Sequence, residues 1–221
     1  YGPAYGGQPS PGGNNSVVSL TFYGIGLSGT LPSTLGNLQW LESLTLNEGG
    51  LSGVFPASMS QLARLQSLSM STTGSMNGTM DVLASLPALT SVSISGGGGM
   101  MYGVIPFTGS FPNFISGALT SVSFSNMVQL QVPAWNLPSL TSLTLSSLYN
   151  SWYTGYNSVS AAPIFLPSGL QLPKLQTLTL QYVAGLYGAL PPASAFPSLT
   201  SLTVQSCGMN GTIPALPASL T

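Results

Sequence analysis

Residues 41–46 read Leu-Glu-Ser-Leu-Thr-Leu, and close copies of this six-residue phrase recur along the chain. Eight copies begin at Val17, Leu41, Leu65, Leu89, Leu119, Leu140, Leu175 and Leu199, and a ninth begins at Leu220. Successive copies lie 21 to 35 residues apart. A leucine pattern that repeats at such intervals is typical of a solenoid, in which each repeat buries its apolar face against its neighbours. The sequence therefore predicts one elongated repeat domain.

Polar and apolar residues alternate inside each copy, which predicts a β-strand. The fourth and sixth positions are apolar throughout, as in Leu44 and Leu46, and are expected to face the core. The third and fifth positions carry hydroxyl groups and are expected to point outward from a parallel sheet. We call these outward residues the polar sheet face: Ser19, Thr21, Ser43, Thr45, Ser67, Ser69, Ser91, Ser93, Ser121, Ser123, Ser142, Thr144, Thr177, Thr179, Ser201 and Thr203.

A second motif follows several of these phrases, as in LSGTLPSTLGNL (27–38) and LSGVFPASMSQL (51–62). With the first phrase it resembles the plant-type leucine-rich repeat, whose consensus runs LxxLxxLxLxxNxLxGxIPxxLGxLxx. The resemblance implies an α/β solenoid with about eight parallel strands, short second strands, and 3₁₀ or short helical turns such as Ser33 to Leu38. The Gly-x-hydrophobic-Pro element that would begin each second strand occurs at Gly29–Pro32, Gly53–Pro56, Gly103–Pro106, Gly188–Pro191 and Gly211–Pro214.

The chain departs from that consensus at two kinds of position. The turn asparagine is replaced, for example by Ile25 and Gly49, so Ser and Thr hydroxyls are expected to satisfy the turn backbone instead. The paired cysteines that cap the ends of many secreted members are absent. Cys207 is the single cysteine, which excludes an intramolecular disulfide and predicts a buried thiol in a turn.

Composition divides the chain into a leader and a solenoid. Residues 1–16 are rich in Pro and Gly and predict an extended leader, whereas residues 17–221 carry the repeat.

Only 2% of the residues are charged, with two basic and three acidic side chains. Nucleic acid is excluded as a partner because phosphate binding requires a basic patch. A transmembrane segment is not predicted, because polar residues and prolines interrupt every apolar run.

The sequence offers no constellation for catalysis. Histidine is absent, and the carboxylates Glu42, Glu48 and Asp81 are expected to be solvated surface charges. We therefore expect neither an enzyme nor a cofactor or metal site.

Three Asn-x-Ser/Thr triplets predict N-glycosylation, at Asn14, Asn77 and Asn210. The last two share a Met-Asn-Gly-Thr context in different repeats. Covalently attached glycans would keep so uncharged a surface soluble, and they imply an extracellular or cell-surface location.

Three functions are compatible with these features. The first is a structural or surface-assembly subunit that stacks end to end, with Leu220 and Thr221 at an open C-terminal edge. The second is a recognition ectodomain with a protein partner, for which an aromatic loop of Tyr149, Trp152, Tyr153 and Tyr156 is the expected interaction site. The third is ice binding through the regular Ser/Thr face.

Overall fold

The computed structural model describes residues 16–24, 26–47, 50–72, 76–96, 107–128, 130–149, 164–183, 186–210 and 214–220. Its strands are β1 (Ser19–Tyr23), β2 (Ser28–Thr30), β3 (Ser43–Asn47), β4 (Gly50–Ser52), β5 (Ser67–Thr72), β6 (Ser91–Gly96), β7 (Ser121–Val128), β8 (Ser142–Tyr149), β9 (Ile164–Phe165), β10 (Thr177–Val183), β11 (Leu186–Tyr187) and β12 (Ser201–Gln205). The helical turns are the 3₁₀ segments η1 (Ser33–Asn37), η2 (Ala57–Gln61) and η3 (Ala193–Ala195), and the short helix α1 (Asp81–Ala84).

Eight of the strands form one sheet, in the order β1-β3-β5-β6-β7-β8-β10-β12. Every neighbouring pair is parallel, and the six-residue phrases align in register, as in Ser43 opposite Ser67 and Leu44 opposite Leu68. The predicted solenoid with eight parallel strands is therefore confirmed. The register is specified because a one-residue slip would turn the leucines outward and the hydroxyls inward.

The core follows the apolar columns of the phrase. From the second copy to the seventh, the inward residues are almost fully buried, as with Leu44, Ile94 and Leu180. The first copy differs, because Val17 is 36% exposed and the side chains of Leu20 and Phe22 are only partly buried. The first repeat therefore has apolar surface that no described residue covers.

Short second strands occur, as the resemblance implied, but they lie at or just before the glycine of the Gly-x-hydrophobic-Pro element: β2 contains Gly29, whereas β4 and β11 end directly before Gly53 and Gly188. We call this the second ladder: the parallel pairs β2–β4 and β9–β11, with the bridges Gly53–Met76, Gly78–Phe107, Ser110–Gln131 and Asn136–Gln171. Its glycines have positive φ, with values of 102° at Gly29, 79° at Gly53 and 78° at Gly78. A side chain at Gly78 would also meet Val54 Cγ1 at 2.9 Å. Glycine is thus required by both conformation and space.

The structure corrects one assignment of this element. In the repeat that begins at Leu89, the sequence suggested Gly103–Pro106, which lies outside the described residues. Gly53 bridges to Met76, and in the following repeat Gly78 bridges to Phe107, so Phe107 is equivalent to Met76. Gly109, two residues after Phe107, is therefore equivalent to Gly78. Gly109 has φ of 88°, like its counterparts. Gly103–Pro106 and Gly109–Pro112 both match this short motif, and only the pairing register distinguishes them.

Short helical turns lie opposite the strands. The turn predicted from Ser33 to Leu38 is η1, with Leu38 as its C-terminal cap. Gly36 packs directly against the backbone and side chain of Ser58, so η1 and η2 lie close together. None of the helices in the described residues has the length and apolar character needed to cross a bilayer.

The turn that normally carries the consensus asparagine is filled differently here. At this position Met127, Leu148 and Val183 are completely buried and extend the apolar core. Cys207 occupies the same position in the last repeat and is half-buried, with Sγ 3.5 Å from the Leu180 carbonyl oxygen. The predicted thiol therefore lies in the turn but is less enclosed than expected.

Candidate binding surface on the parallel sheet

The polar sheet face is an array of hydroxyl groups on regular spacings. Its two columns run across all eight strands, and the paired residues lie directly opposite one another, as Ser123 and Thr144 do. Neighbouring strands are about 4.8 Å apart, so eight strands give an array roughly 34 Å long. The side chains are half-buried by their neighbours, apart from the exposed Ser201. The array is therefore a shallow, continuous surface rather than a pocket.

The described hydroxyl groups in the strands of the sheet and immediately before them fall into two classes. The threonines immediately before the strands serve the backbone: Thr90, Thr120, Thr141 and Thr200 each donate from Oγ1 to a carbonyl of the preceding repeat, at 2.9 to 3.1 Å. In the described part of the chain, no hydroxyl of the polar sheet face forms a hydrogen bond with protein. The hydroxyls of the face are thus available to solvent or to a partner.

A third outward column lies one step further along the strands, and the sequence analysis did not single it out. We call it the exit column: Tyr23, Asn47, Ser71, Ser95, Ser125, Ser146, Gln181 and Gln205. Period-two alternation continued two residues past the fifth position of the phrase, which is one residue beyond its end, would have found it. The column adds the carboxamides of Asn47, Gln181 and Gln205. It also adds the exposed ring of Tyr23, a residue with 75% of its surface accessible.

The exit column ends in a small hydrogen-bonded cluster. Gln181 Nε2 donates to Gln205 Oε1 at 3.3 Å, and Gln205 Nε2 donates to the Tyr182 hydroxyl at 3.1 Å. Tyr182 follows Gln181 with a left-handed φ of 53°, and half of its surface is exposed. An aromatic ring and two carboxamides are thus held together beside the hydroxyl array.

Formal charges lie outside all three outward columns. Of the described charged residues, Arg64, Asp81 and Lys174 are exposed in turns or in α1, and Glu42 is half-buried just before β3. The Arg64 guanidinium lies 3.9 Å from the centre of the Trp40 ring, a cation–π contact between adjacent repeats. The polar sheet face and the exit column therefore form an electrically neutral surface.

The other predicted sites are distributed over the molecule. Of the aromatic loop, Tyr149 is the last residue of β8, whereas Trp152, Tyr153 and Tyr156 lie outside the described residues. Asn14 and Thr221 also lie outside them. Asn77 and Asn210 are exposed on the second ladder. Leu220 packs on the core and makes the turn that precedes a strand in other repeats, with its N–H donating to the Pro217 carbonyl at 3.1 Å.

An apolar cavity of about 510 Å³ opens at the first repeat. Leu20, Phe22, Leu31, Leu35 and Leu38 contribute to its lining. Over the described residues, no group of three or more Cys, Asp or Glu side chains is placed to hold a metal ion.

Comparison with known proteins gives matches at the level of structure. No family model matches the chain, and no curated protein matches it. The ectodomain of the receptor kinase HAESA from Arabidopsis, solved with the peptide hormone IDA, is 22% identical over 90% of this chain, with a TM-score of 0.58. The ectodomain of GASSHO1/SCHENGEN3 from Arabidopsis thaliana, solved with CASPARIAN STRIP INTEGRITY FACTOR 2, is 23% identical over 89% of the chain, with a TM-score of 0.55.

These matches concern architecture. The aligned part covers 31% of the HAESA ectodomain and 25% of the GASSHO1 ectodomain, so the chain spans about a quarter to a third of their length. A plant ice-binding protein aligns over 92% of the chain at 20% identity with a TM-score of 0.34, which is too low to support an inference. Together with the strand register, the ectodomain matches show a plant-type leucine-rich-repeat fold.

Proposed function

We propose that this chain is a non-enzymatic extracellular binding protein whose polar sheet face holds a neutral, hydroxyl-rich polymer such as an extended polysaccharide. The observation that carries the proposal is the separation of the hydroxyls into two classes. The pre-strand threonines are used by the backbone, whereas the hydroxyls of the face form no bond with protein in the described residues.

The chemistry of the face favours a partner that also carries hydroxyl groups. A Ser or Thr hydroxyl donates one hydrogen bond and accepts two, so it complements a sugar hydroxyl in either direction. The carboxamides of Gln181 and Gln205 add directed donors and acceptors, and the exposed Tyr23 and Tyr182 rings add surfaces on which the apolar face of a sugar can stack.

Electrostatics and dimensions favour the same partner. No described residue of the three outward columns is charged, so neither an anionic nor a cationic polymer would find a complement there. An array roughly 34 Å long suits an extended chain rather than a small molecule. By analogy of fold alone, the receptor ectodomains solved with bound ligands offer a precedent for a binding role.

Charge placed on the face tests the proposal. In the double variant Ser69→Lys with Thr179→Lys, two ammonium groups stand within the array, on β5 and β10, the third and seventh of its eight strands. The full chain should co-sediment with neutral insoluble polysaccharides such as cellulose or mannan, and the variant should lose at least about tenfold in affinity because a buried charge would lack a partner. Binding by the wild type should change little with salt, since no ion pairs are involved.

The matched control is Gln61→Lys with Ser194→Lys, which adds the same charge at exposed positions in η2 and η3. It should bind like the wild type. Equal binding by both double variants, or preferential binding to polygalacturonate, would contradict the proposal. Thermal hysteresis without polysaccharide binding would instead assign the face to ice.

End-to-end association into a surface assembly is a second candidate. It is favoured by exposed apolar side chains at both ends of the described solenoid. The cavity at the first repeat is lined by Leu20 and Phe22, while Val204 and Leu216 at the other end are 41% and 43% exposed. Apolar surface of this kind is typical of contacts between protein chains.

Sedimentation velocity and electron microscopy test this candidate. The wild type should form linear oligomers as its concentration rises, and Val204→Lys with Leu216→Lys should remain monomeric. A wild type that stays monomeric at high concentration and neutral pH would eliminate end-to-end assembly while leaving polysaccharide binding untouched.

A further inference from the structure

The second ladder carries two asparagines in equivalent positions. The backbone N–H of Asn77 donates to the Gly53 carbonyl at 2.7 Å, and that of Asn210 donates to the Gly188 carbonyl at 3.2 Å. In both cases the acceptor is a glycine that directly follows a short second-ladder strand of the preceding repeat, β4 or β11, with φ of 79° and 86°. The same exposed position is therefore occupied by Asn in two distant repeats.

Both asparagines have the chemistry and the setting of a glycan acceptor. Each is followed by Gly and then Thr, which completes the acceptor triplet, and each is exposed. At Asn210, the side-chain Oδ1 accepts a hydrogen bond from the Gly188 N–H at 3.1 Å. That bond orients the carboxamide through its oxygen and leaves Nδ2, the atom that bears an N-linked sugar, outside the contact.

The surroundings of Asn77 have room for a sugar. Thr79, which supplies the hydroxyl of the triplet, is exposed. Val54 lies over Gly78, beside Asn77, and is 52% exposed. A first sugar residue on Asn77 would lie next to this apolar side chain and cover it.

From these observations we infer that Asn77 and Asn210 carry N-linked oligosaccharides, and that these glycans occupy the second ladder and leave the polar sheet face bare. The inference rests on the extracellular location in the proposed function. It does not depend on what the sheet face binds, because neither asparagine belongs to the eight-stranded sheet.

The test is secretion of the full chain from a eukaryotic cell, followed by intact mass and peptide mass spectrometry. Treatment with peptide N-glycosidase, which converts a glycosylated Asn to Asp, should mark both Asn77 and Asn210. Thr79→Val keeps the γ-methyl group that faces Gly109 and removes the hydroxyl, so it should abolish the glycan at Asn77 alone. Thr79→Ser keeps the hydroxyl and should retain that glycan.

Asn210 provides an internal control in the Thr79→Val protein, where its glycan should persist. Secreted protein that is unmodified at either position would overturn the inference, and so would a glycan on Asn77 that survives Thr79→Val. Failure of the wild type to bind polysaccharide would overturn the proposed function without changing these masses.

Discussion

Threonine hydroxyls have two different environments in this protein, which depend on whether the residue precedes a strand or lies inside it. Thr141 precedes β8 and donates to the Thr120 carbonyl at 3.0 Å, whereas Thr144 lies inside β8 and points outward without a protein partner among the described residues. The net contribution of one hydrogen bond to the free energy of unfolding is about 1 kcal/mol. The Thr141 hydroxyl should therefore stabilise the fold by about that much more than the Thr144 hydroxyl does.

Replacement by valine, which has nearly the same shape, tests this difference. Thr141→Val should lower the free energy of unfolding by about 1 kcal/mol, because the Thr120 carbonyl loses a donor. Thr144→Val should stay within about 0.5 kcal/mol of the wild type, because valine suits a strand and no bond is lost. Chemical denaturation measures both. Equal losses for the two variants would contradict the division of hydroxyls into two classes.

Backbone strain recurs at the strand exits. Asn126, Ser147, Tyr182 and Ser206 have φ between 50° and 53°, and each lies five residues after the first residue that its phrase contributes to the polar sheet face. Left-handed backbone costs an ordinary residue about 1–2 kcal/mol. In the first repeat the same position is Gly24, with φ of 63°, so glycine is compatible with this turn.

Glycine at Ser147 should therefore stabilise the protein. We expect Ser147→Gly to raise the free energy of unfolding by about 1 kcal/mol. The neighbouring Ser146→Gly is the control: Ser146 is an ordinary strand residue paired with Gln181, so glycine there should lower stability by roughly 0.5–1 kcal/mol. Destabilisation by both would show that the exit turn is not strained.

At the scale of elements, the 3₁₀ turns pack more closely than ordinary side chains allow. A Cβ atom at Gly36 in η1 would lie 2.7 Å from Ser58 Cβ in η2 and would also overlap the Ser58 carbonyl. The Ser58 hydroxyl donates to the Ser33 carbonyl at 2.6 Å, which fastens the two turns together. The spacing of successive repeats at this point therefore depends on a glycine.

Gly36→Ala should separate η1 from η2 and lower the free energy of unfolding by about 1–3 kcal/mol, the usual cost of overpacking. The matched control is Gly117→Ala, where the added methyl group meets no atom within 4 Å and φ is not in the left-handed range. That substitution should leave stability unchanged or raise it slightly by restricting the unfolded chain. Equal thermal midpoints for both variants would contradict the close packing of the turns.

At the scale of the whole molecule, the near-absence of charge means that stability comes from the apolar columns and the strand ladders. With five charged side chains in 221 residues, ionic strength has few interactions to screen. The thermal midpoint should therefore be nearly constant between about 0.05 M and 0.5 M NaCl.

Two adjacent lysines should change this behaviour. Ser123 and Thr144 face each other on β7 and β8, so Ser123→Lys with Thr144→Lys places like charges side by side. This variant should be less stable than the wild type at low salt and recover part of the difference as salt is added. A wild type with the same salt dependence would show that electrostatics contribute more than the charge content suggests.

The sequence by itself determined the solenoid, the strand count, the inward columns and the hydroxyl face, because each depends on short-range alternation repeated in register. Tertiary structure was needed to assign the second-ladder glycine of the fourth repeat to Gly109, since Gly103–Pro106 and Gly109–Pro112 both match the motif and only pairing across repeats distinguishes them. It was also needed to divide the threonines, because a hydroxyl is occupied or free according to a carbonyl more than 20 residues away. The Gln181–Gln205–Tyr182 cluster could also be found only in the tertiary structure, because its members come from neighbouring repeats and meet only when the parallel strands align.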